Sequence, residues 1–120
     1  MTQNESRNIE LVHTYLESLI SHRVEDVRLA DDCKRFENGM DCGWSGQAIL
    51  DSLRDGPQYL PLREIRELTF RDLGAEVVAR YLLDVEIEGG ALATVVLTEH
   101  FVIADDRIAA ITAIYEPQEM

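Results

Sequence analysis

The sequence is poor in lysine and lacks long apolar runs. Lys34 is its only lysine, and the 23 acidic residues outnumber the 11 basic ones, which gives a formal net charge of −12. A surface with this charge repels phosphate backbones and anionic lipid headgroups, so we expect neither nucleic acid nor a membrane as a partner. The apolar runs are too short to span a bilayer, and the polar residues 1–8 do not resemble a signal peptide. We therefore expect a cytoplasmic protein.

Cysteine and histidine are also scarce. The chain has two cysteines, Cys33 and Cys42, and three histidines, and their spacing matches no zinc-binding pattern. In a reducing cytosol the two cysteines are expected to remain thiols rather than to form a disulfide. We predict that the protein holds no metal and no other cofactor.

The chain does contain enough apolar residues for one core. It has 120 residues, of which 46% are hydrophobic, and no low-complexity stretch. A chain of this size and composition folds around a single core, so we predict one domain over residues 1–120.

The first half of the chain has the period of helices. Apolar residues recur at helical spacing over residues 8–21, which predicts an amphipathic helix, and a shorter helical segment is predicted over residues 24–30. A brief strand is predicted over residues 33–38. Ser45 is placed to cap a further helix, which ends at residues 55–57.

The second half alternates between apolar and polar residues, which is the period of a strand. Three or four strands are predicted there, over residues 63–73, where the pattern is mixed, and over residues 76–88, 91–104 and 107–116. Gly89-Gly90 and Asp105-Asp106 predict tight turns between the last three strands, and strands joined so tightly are antiparallel. Helices followed by such strands predict an α+β fold, with the helices packed on one face of a curved antiparallel sheet.

One residue interrupts this pattern on the strand face that should meet the core. The odd-numbered positions from 91 to 103 share one face, and all but one of them are apolar. The exception is Glu99. An ionised carboxylate is costly to bury, so a buried Glu99 is expected to take up a proton or to find a donor. Two interpretations stay open: Glu99 is a neutral acid in an apolar cavity, or it lies near a strand end or a wet edge.

Several local motifs occur in a defined order along most of the chain. They are a helix that carries Tyr15, then Ala30-Asp31-Asp32, Glu37, Ser45-Gly46-Gln47-Ala48-Ile49, Glu99-His100-Phe101 and Arg107-Ile108. This order resembles the nuclear transport factor 2-like superfamily, and within it the branch of ketosteroid isomerase and the SnoaL-like cyclases. The resemblance implies a cone, in which a strongly bent sheet wraps over N-terminal helices and encloses an apolar pocket. It also implies a homodimer that pairs through the outer sheet face, where Val96, Val102 and Ala104 are expected to lie.

The same resemblance implies acid–base chemistry on a small hydrophobic molecule that carries a carbonyl group. In ketosteroid isomerase an aspartate removes a proton next to a carbonyl, while a tyrosine and a protonated aspartate stabilise the resulting enolate. Carried over to this sequence, Tyr15 and a neutral Glu99 match the two donors, and Glu37 matches the base. The further residues expected to contact the ligand are Asn38, Trp44, Leu97 and Phe101.

Alternatives to this site stay open. Both matching acids are glutamates rather than aspartates, which moves each carboxylate by the length of one methylene. If the strand is shifted by one residue, Asn38 instead of Glu37 faces the cavity and resembles the water-positioning asparagine of limonene epoxide hydrolases. That family also needs an Asp-Arg-Asp set, which Arg80 and Asp84 do not complete because residues 111–115 contain no acid. Arg80 and Asp84 are instead expected to pair with each other. A non-catalytic ligand-binding or dimerisation module on the same fold is the second functional hypothesis.

Overall fold

The computed structural model describes residues 6–118. Two α-helices lie in the first half of the chain, α1 (Arg7–Ser21) and α2 (Gly46–Asp55). Each begins after a serine whose hydroxyl oxygen accepts a hydrogen bond from a backbone N–H of the first turn, at 3.1 Å for Ser6 and 3.0 Å for Ser45. The helix predicted over residues 8–21, the helix predicted after Ser45 and the cap predicted at Ser45 are confirmed.

Six strands form one curved sheet. They are β1 (Leu29–Glu37), β2 (Met40–Gly43), β3 (Leu62–Asp72), β4 (Glu76–Glu86), β5 (Leu92–Ala104) and β6 (Arg107–Pro117). Their order in the sheet is β2-β1-β6-β5-β4-β3; β1 runs parallel to β6, and the other neighbouring pairs are antiparallel. The sheet does not close on itself, since β2 and β3 remain its edges. Together with the two helices, it confirms the predicted α+β fold.

The helical segment predicted over residues 24–30 is wrong. His22 ends α1 in a left-handed conformation with a φ of 63°, and β1 already begins at Leu29, which pairs with Ile108 of β6. A helix of so few residues is marginal by itself, so pairing with an existing strand outweighs the helical spacing.

Of the two tight turns predicted in the second half of the chain, one has the predicted length and the other does not. Asp105-Asp106 forms the predicted two-residue turn, and both residues have the positive φ that this turn type requires, 54° and 61°. The connection at Gly89-Gly90 has three residues instead of two, because a 3₁₀ turn covers Glu88–Gly90. This turn shifts the pairing of β4 and β5 by one residue relative to a two-residue turn.

The core lies between α1 and the sheet face that α1 covers, which we call the inner face. α1 buries one stripe of side chains there: Leu11, Val12, Tyr15, Leu16 and Leu19. The buried residues of the inner face on the four central strands include Cys33 and Arg35, Val77, Ala79, Tyr81 and Leu83, Leu97, Glu99 and Phe101, and Ile108, Ile111 and Ala113. Burying a large apolar side chain contributes about 1.5–3 kcal/mol, so the apolar residues stabilise the fold. Burial of the ionisable side chains of Arg35 and Glu99 costs free energy instead and needs another explanation. Within residues 6–118, no helix is long and apolar enough to cross a membrane.

Candidate functional site

Glu99 lies in the middle of the sheet, on the inner face of β5. Its partners across the two adjoining strands are Ala79 of β4 and Ala113 of β6, and it has no exposed surface. The interpretation that Glu99 lies near a strand end or a wet edge is therefore wrong. Because both cross-strand partners are alanines, the carboxyl group is flanked by the smallest side chains of the inner face.

One oxygen of the Glu99 carboxyl group has a partner and the other has none. The hydroxyl group of Tyr81 donates a hydrogen bond to Oε1. Among the side chains of residues 6–118, Oε2 is the one fully buried nitrogen or oxygen atom without a hydrogen-bond partner. Burial raises the pKa of Glu99, against the smaller opposing effects of the Arg35 charge and the Tyr81 hydrogen bond. Burial thus shifts the equilibrium of the carboxyl group toward its neutral form, and a proton on Oε2 would have no acceptor within the described chain.

Tyr15 is fully buried, but its hydroxyl group bonds to Arg35 rather than to Glu99. Nε of Arg35 donates to Tyr15 Oη over 2.8 Å, and the Tyr15 ring meets Phe101 edge-on with 5.5 Å between the ring centroids. Burial raises the pKa of Tyr15 well above its usual value, although the nearby guanidinium opposes this effect. The hydroxyl group thus keeps its proton, and that proton has no acceptor among residues 6–118.

Arg35 connects the interior to the surface. Its Nη1 donates to Oε2 of Glu37 and, over 3.1 Å, to Sγ of Cys42. The side chain of Arg35 is 5% exposed, whereas that of Glu37 is 35% exposed, so the ion pair runs outward from the core. We call Tyr15, Arg35, Glu37, Cys42, Tyr81 and Glu99 the inner polar cluster.

The register of β1 decides between Glu37 and Asn38. The partners of Arg35 and Glu37 on β6 are both fully buried, so Glu37 lies on the inner side together with Arg35. Asn38 follows the strand with a φ of 48° and is exposed. Its Oδ1 accepts a hydrogen bond from the backbone N–H of Tyr115 over 2.9 Å. The alternative in which Asn38 faces the interior is therefore wrong, because this contact fixes its side chain to the end of β6.

The other three residues expected to contact a ligand fall into two groups. Leu97 and Phe101 lie on either side of Glu99 along the inner face, and both are buried. Trp44 lies in the loop between β2 and α2, and 68% of its surface is exposed. Contact of any of them with a ligand stays a prediction.

Two members of the cluster were missed in the sequence, and both had a signal. Tyr81 occupies the apolar face of its alternating strand, where a hydroxyl group needs a buried partner. Arg35 alternates with Cys33 and Glu37, so any register that turns Glu37 inward also buries a guanidinium. Each signal depends on knowing which face of the strand meets the core.

Arg80 and Asp84 do not form the expected pair. Residues four apart on a strand are about 13 Å apart, which is too far for direct contact. Asp84 instead accepts two hydrogen bonds from Arg66, at 2.8 and 2.9 Å, and one from Thr94 at 2.8 Å. This group lies on the outer face of the sheet, away from the inner polar cluster.

A surface groove of about 620 Å³ lies between α1, the residues that follow it and β3. Its apolar lining residues are Leu16, Ile20, Ile65 and Leu68, and none of its titratable side chains is buried. No member of the inner polar cluster lines the groove. The chemistry-bearing residues are thus concentrated in the cluster, where burial changes their pKa values. Nowhere in residues 6–118 do three or more His, Cys, Asp or Glu side chains come together to hold a metal ion.

The fold is similar to that of solved nuclear transport factor 2-like proteins and SnoaL-like cyclases. An NTF2-like protein of Cytophaga hutchinsonii is 12% identical, with a TM-score of 0.70 over 92% of this chain and 96% of that one. A candidate polyketide cyclase of Xanthomonas campestris pv. campestris is 21% identical, with a TM-score of 0.73 over 92% and 90%. TerC, co-crystallised with polyporic acid, is 17% identical, with a TM-score of 0.73 over 92% of each chain. Epoxide hydrolase-like proteins share the fold as well. At these identities the similarity concerns the fold alone.

The chain belongs to the family described as a domain of unknown function, DUF8021, whose model matches residues 2–115. No protein with a curated description matches the sequence.

Proposed function

We propose that this protein binds a small hydrophobic molecule that carries a carbonyl group, and that it moves a proton on that molecule. The carbonyl oxygen accepts hydrogen bonds from Glu99 and Tyr15, and Glu37 acts as the base. The observation that supports this most directly is the unpartnered Oε2 of Glu99. A buried donor without an acceptor costs about 1–3 kcal/mol, and a ligand oxygen would remove that cost.

The surroundings of Glu99 suit an apolar ligand. Ala79 and Ala113 flank the carboxyl group across the sheet, while Leu97 and Phe101 supply apolar walls above and below it. Such a site, mostly apolar with a few convergent polar groups, is typical of pockets for small molecules. The ligand enters from the partly exposed end of the cluster, near Cys42.

The proton transfer follows from the charges of the cluster. A C–H bond next to the carbonyl breaks, its proton passes to the Glu37 carboxylate, and the electron pair moves onto the carbonyl oxygen. The two neutral donors, Tyr15 and Glu99, then hold the oxygen as it becomes negative. Return of the proton to a different carbon gives an isomerase, and attack of the carbanion on a second carbonyl of the same molecule gives a cyclase.

Exchange of ketone hydrogens for deuterium tests the chemistry. We expect 2-tetralone in D₂O to lose its acidic C–H signals faster with the wild-type protein than with Glu37→Gln, as followed by NMR. Glu99→Gln keeps a hydrogen-bond donor of similar size and should retain more of this activity than Glu99→Leu, which has none. Equal exchange rates for the wild type and Glu37→Gln would contradict the assignment of the base.

A second candidate function is a non-catalytic binding or dimerisation module. The supporting observation is that Tyr15 and Glu99 are completely buried and already bonded to Arg35 and Tyr81. In that case the cluster only fixes the core. Binding of 2-tetralone without enhanced exchange would favour a binding module, and absence of binding would favour a purely structural role.

The outer sheet face is the proposed contact of a homodimer. Val102 and Ala104 are exposed there in the single chain, as is Ile114 on the neighbouring strand, while Val96 is partly buried. Exposed apolar side chains grouped on one sheet face are typical of subunit contacts. Light scattering after size-exclusion chromatography should give twice the chain mass, and Val102→Glu should give the monomer. A monomeric wild-type protein at micromolar concentration would contradict this proposal.

A further inference from the structure

The surface groove between α1 and β3 takes no part in the proposed function. We call it the α1–β3 groove; no member of the inner polar cluster lines it. Its apolar lining consists of Leu16, which is buried, and of Ile20, Ile65 and Leu68, which keep part of their surface exposed. Apolar side chains that stay partly exposed together in one groove are typical of a binding surface.

Carboxylates outnumber arginines around the α1–β3 groove. Its charged or titratable lining residues are Glu17, Glu25, Asp26, Glu64, Arg23, Arg63 and His13. The guanidinium of Arg63 is directed elsewhere, since it donates to Oε1 of Glu86 over 2.9 Å and to the backbone oxygen of Leu60 over 2.5 Å. Arg23 lies 3.9 Å from Glu25, and both side chains are so exposed, at 80% and 71%, that this ion pair contributes little. The groove therefore keeps an excess of negative charge.

Two of the four carboxylates have no basic partner. Within residues 6–118, no nitrogen of a basic side chain lies within 4.0 Å of the carboxylate oxygens of Asp26 or Glu64. Glu17 lies 4.0 Å from His13, which is charged only when it is protonated. Uncompensated carboxylates beside an apolar surface attract a ligand of positive charge. The groove thus fits a partner that is both cationic and apolar.

The shape of β3 indicates a small molecule in this groove rather than an added strand. The pairing of β3 with β4 shifts between Leu62 and Glu64. It shifts again between Arg66 and Thr69, where Glu67 has a φ of 55°. Irregularities of this kind keep further strands from pairing with a sheet edge. The volume of the groove, about 620 Å³, lies in the range of roughly 300–1,000 Å³ that is usual for small-molecule pockets.

We propose that the α1–β3 groove binds a small organic cation with an apolar body, an amine that carries an aromatic or aliphatic group. The apolar body packs against Ile20, Ile65 and Leu68, and the ammonium group lies among the carboxylates that line the groove. This site is separate from the inner polar cluster, so the proposal does not depend on whether that cluster is catalytic.

Three probes of similar shape and different charge test the proposal. They are 1-naphthylmethylamine, which is a cation at pH 7, the neutral 1-naphthalenemethanol, and the anion 1-naphthoate. In calorimetric titrations we expect the amine to bind about tenfold more tightly than the alcohol, and the anion not to bind. Added salt should weaken binding of the amine only. Equal affinities for the amine and the alcohol, or no binding of the amine, would overturn the proposal.

A matched pair of double variants locates the cation. Glu17→Arg/Glu64→Arg reverses two charges of the groove, and Asp41→Arg/Glu88→Arg changes the net charge equally at a distance from it. All four residues are exposed, so both proteins should fold, which their melting temperatures check. We expect the first variant to bind the amine about tenfold more weakly and the second to bind it like the wild type. Equal weakening in both would show that the amine responds only to the net charge of the protein, and the proposal would fall.

Two measurements distinguish other occupants. An excess of 2-tetralone should not displace the amine. Displacement would place the amine in the inner polar cluster, which would overturn this proposal and leave the proposed function standing. Light scattering should give the same mass for the wild type and for Glu17→Arg/Glu64→Arg. A lower mass for the variant would assign the groove to a second copy of the chain and would also overturn the proposal.

Discussion

The protonation state of Glu99 makes a prediction about stability that needs no ligand. In the unfolded chain this carboxyl group has its ordinary pKa of about 4.5, whereas burial raises the pKa in the folded protein. Between these two values the folded protein binds more protons than the unfolded chain. The stability that Glu99 contributes is therefore fully present below the unfolded pKa and is lost as the pH rises through the folded pKa.

The size of this effect follows from linkage. When the folded state holds one proton more than the unfolded chain, each rise of one pH unit within that window lowers the free energy of unfolding by up to about 1.4 kcal/mol. Glu99→Gln has nearly the same shape but does not titrate. Its amide oxygen can still accept the hydrogen bond of Tyr81, so the variant removes the titration with little change in packing.

Urea unfolding at a series of pH values, followed by circular dichroism, measures the difference. The free energy of unfolding of Glu99→Gln minus that of the wild type should rise with pH from about 4.5 and then level off. All other titrating groups occur in both proteins and cancel in this difference. A difference that stays constant from pH 4 to pH 8 would show that Glu99 does not hold its proton in the folded state, and the argument for a neutral donor would fall.

Three further substitutions test the neighbouring contacts. Tyr81→Phe should lower the free energy of unfolding of the wild type by about 1–3 kcal/mol, because it leaves Glu99 without a hydrogen-bond donor, and should lower that of Glu99→Leu by less. Urea unfolding of the wild type, the two single variants and the double variant gives the double-mutant cycle that measures this difference. If there is room beside Glu99, Ala79→Val should lower the free energy of unfolding by less than about 1 kcal/mol and abolish binding of 2-tetralone. A loss of about 1–3 kcal/mol in unfolding experiments would show that the space is already filled. Hydrogen bonds from Arg66 and Thr94 lower the pKa of Asp84, so the stability that Asp84 contributes is present above its ordinary pKa of 3.8 and is lost as the pH falls through the pKa of the folded protein. The melting temperature of Asp84→Asn should therefore depend less on pH between pH 2 and pH 5 than that of the wild type. The same pH dependence in both proteins would contradict this prediction.

The fold was predictable from the sequence because its patterns are long and consistent. The strands of the second half and the stripe of α1 each extend over ten or more residues, so single exceptions do not hide the period. The helix prediction over residues 24–30 was wrong for the opposite reason. A helical spacing over only one or two turns contributes little stability compared with the pairing of Leu29 with β6.

The contact between Tyr81 and Glu99 could also have been predicted, from whether odd- or even-numbered residues form the apolar face of each strand. The apolar faces of β4 and β5 both fall on odd-numbered residues, such as Tyr81 and Leu97. Two antiparallel strands can join these faces only if an odd residue pairs with an odd one, which a two-residue turn at Gly89-Gly90 does not allow. The three-residue turn over Glu88–Gly90 is what the two faces require, and it brings the Tyr81 hydroxyl group to Glu99.

Arg35 could not be placed in the same way, because its burial depends on pairing between distant parts of the chain. β1 runs parallel to β6, and no turn links the two strands, so no local residue fixes their register. A sequence pattern that alternates Cys33, Arg35 and Glu37 is as compatible with an outward row of polar residues as with an inward one. Only the buried partners on β6 decide, and they lie about 75 residues further along the chain.

The energetics of the inner polar cluster argue that stability is not its main purpose. Replacing a buried ion pair with apolar residues of similar volume is often neutral or stabilising, and an unpartnered carboxyl oxygen such as Oε2 of Glu99 is a cost in the unliganded protein. A domain of this size has a total stability of about 5–15 kcal/mol, so a cost of 1–3 kcal/mol is a substantial fraction of it. Active sites commonly carry such destabilising groups, because a group that is fully satisfied in the free protein has nothing left to offer a ligand. Under the proposed function, an acceptor that arrives from solution would remove the cost of the unpartnered Oε2 of Glu99.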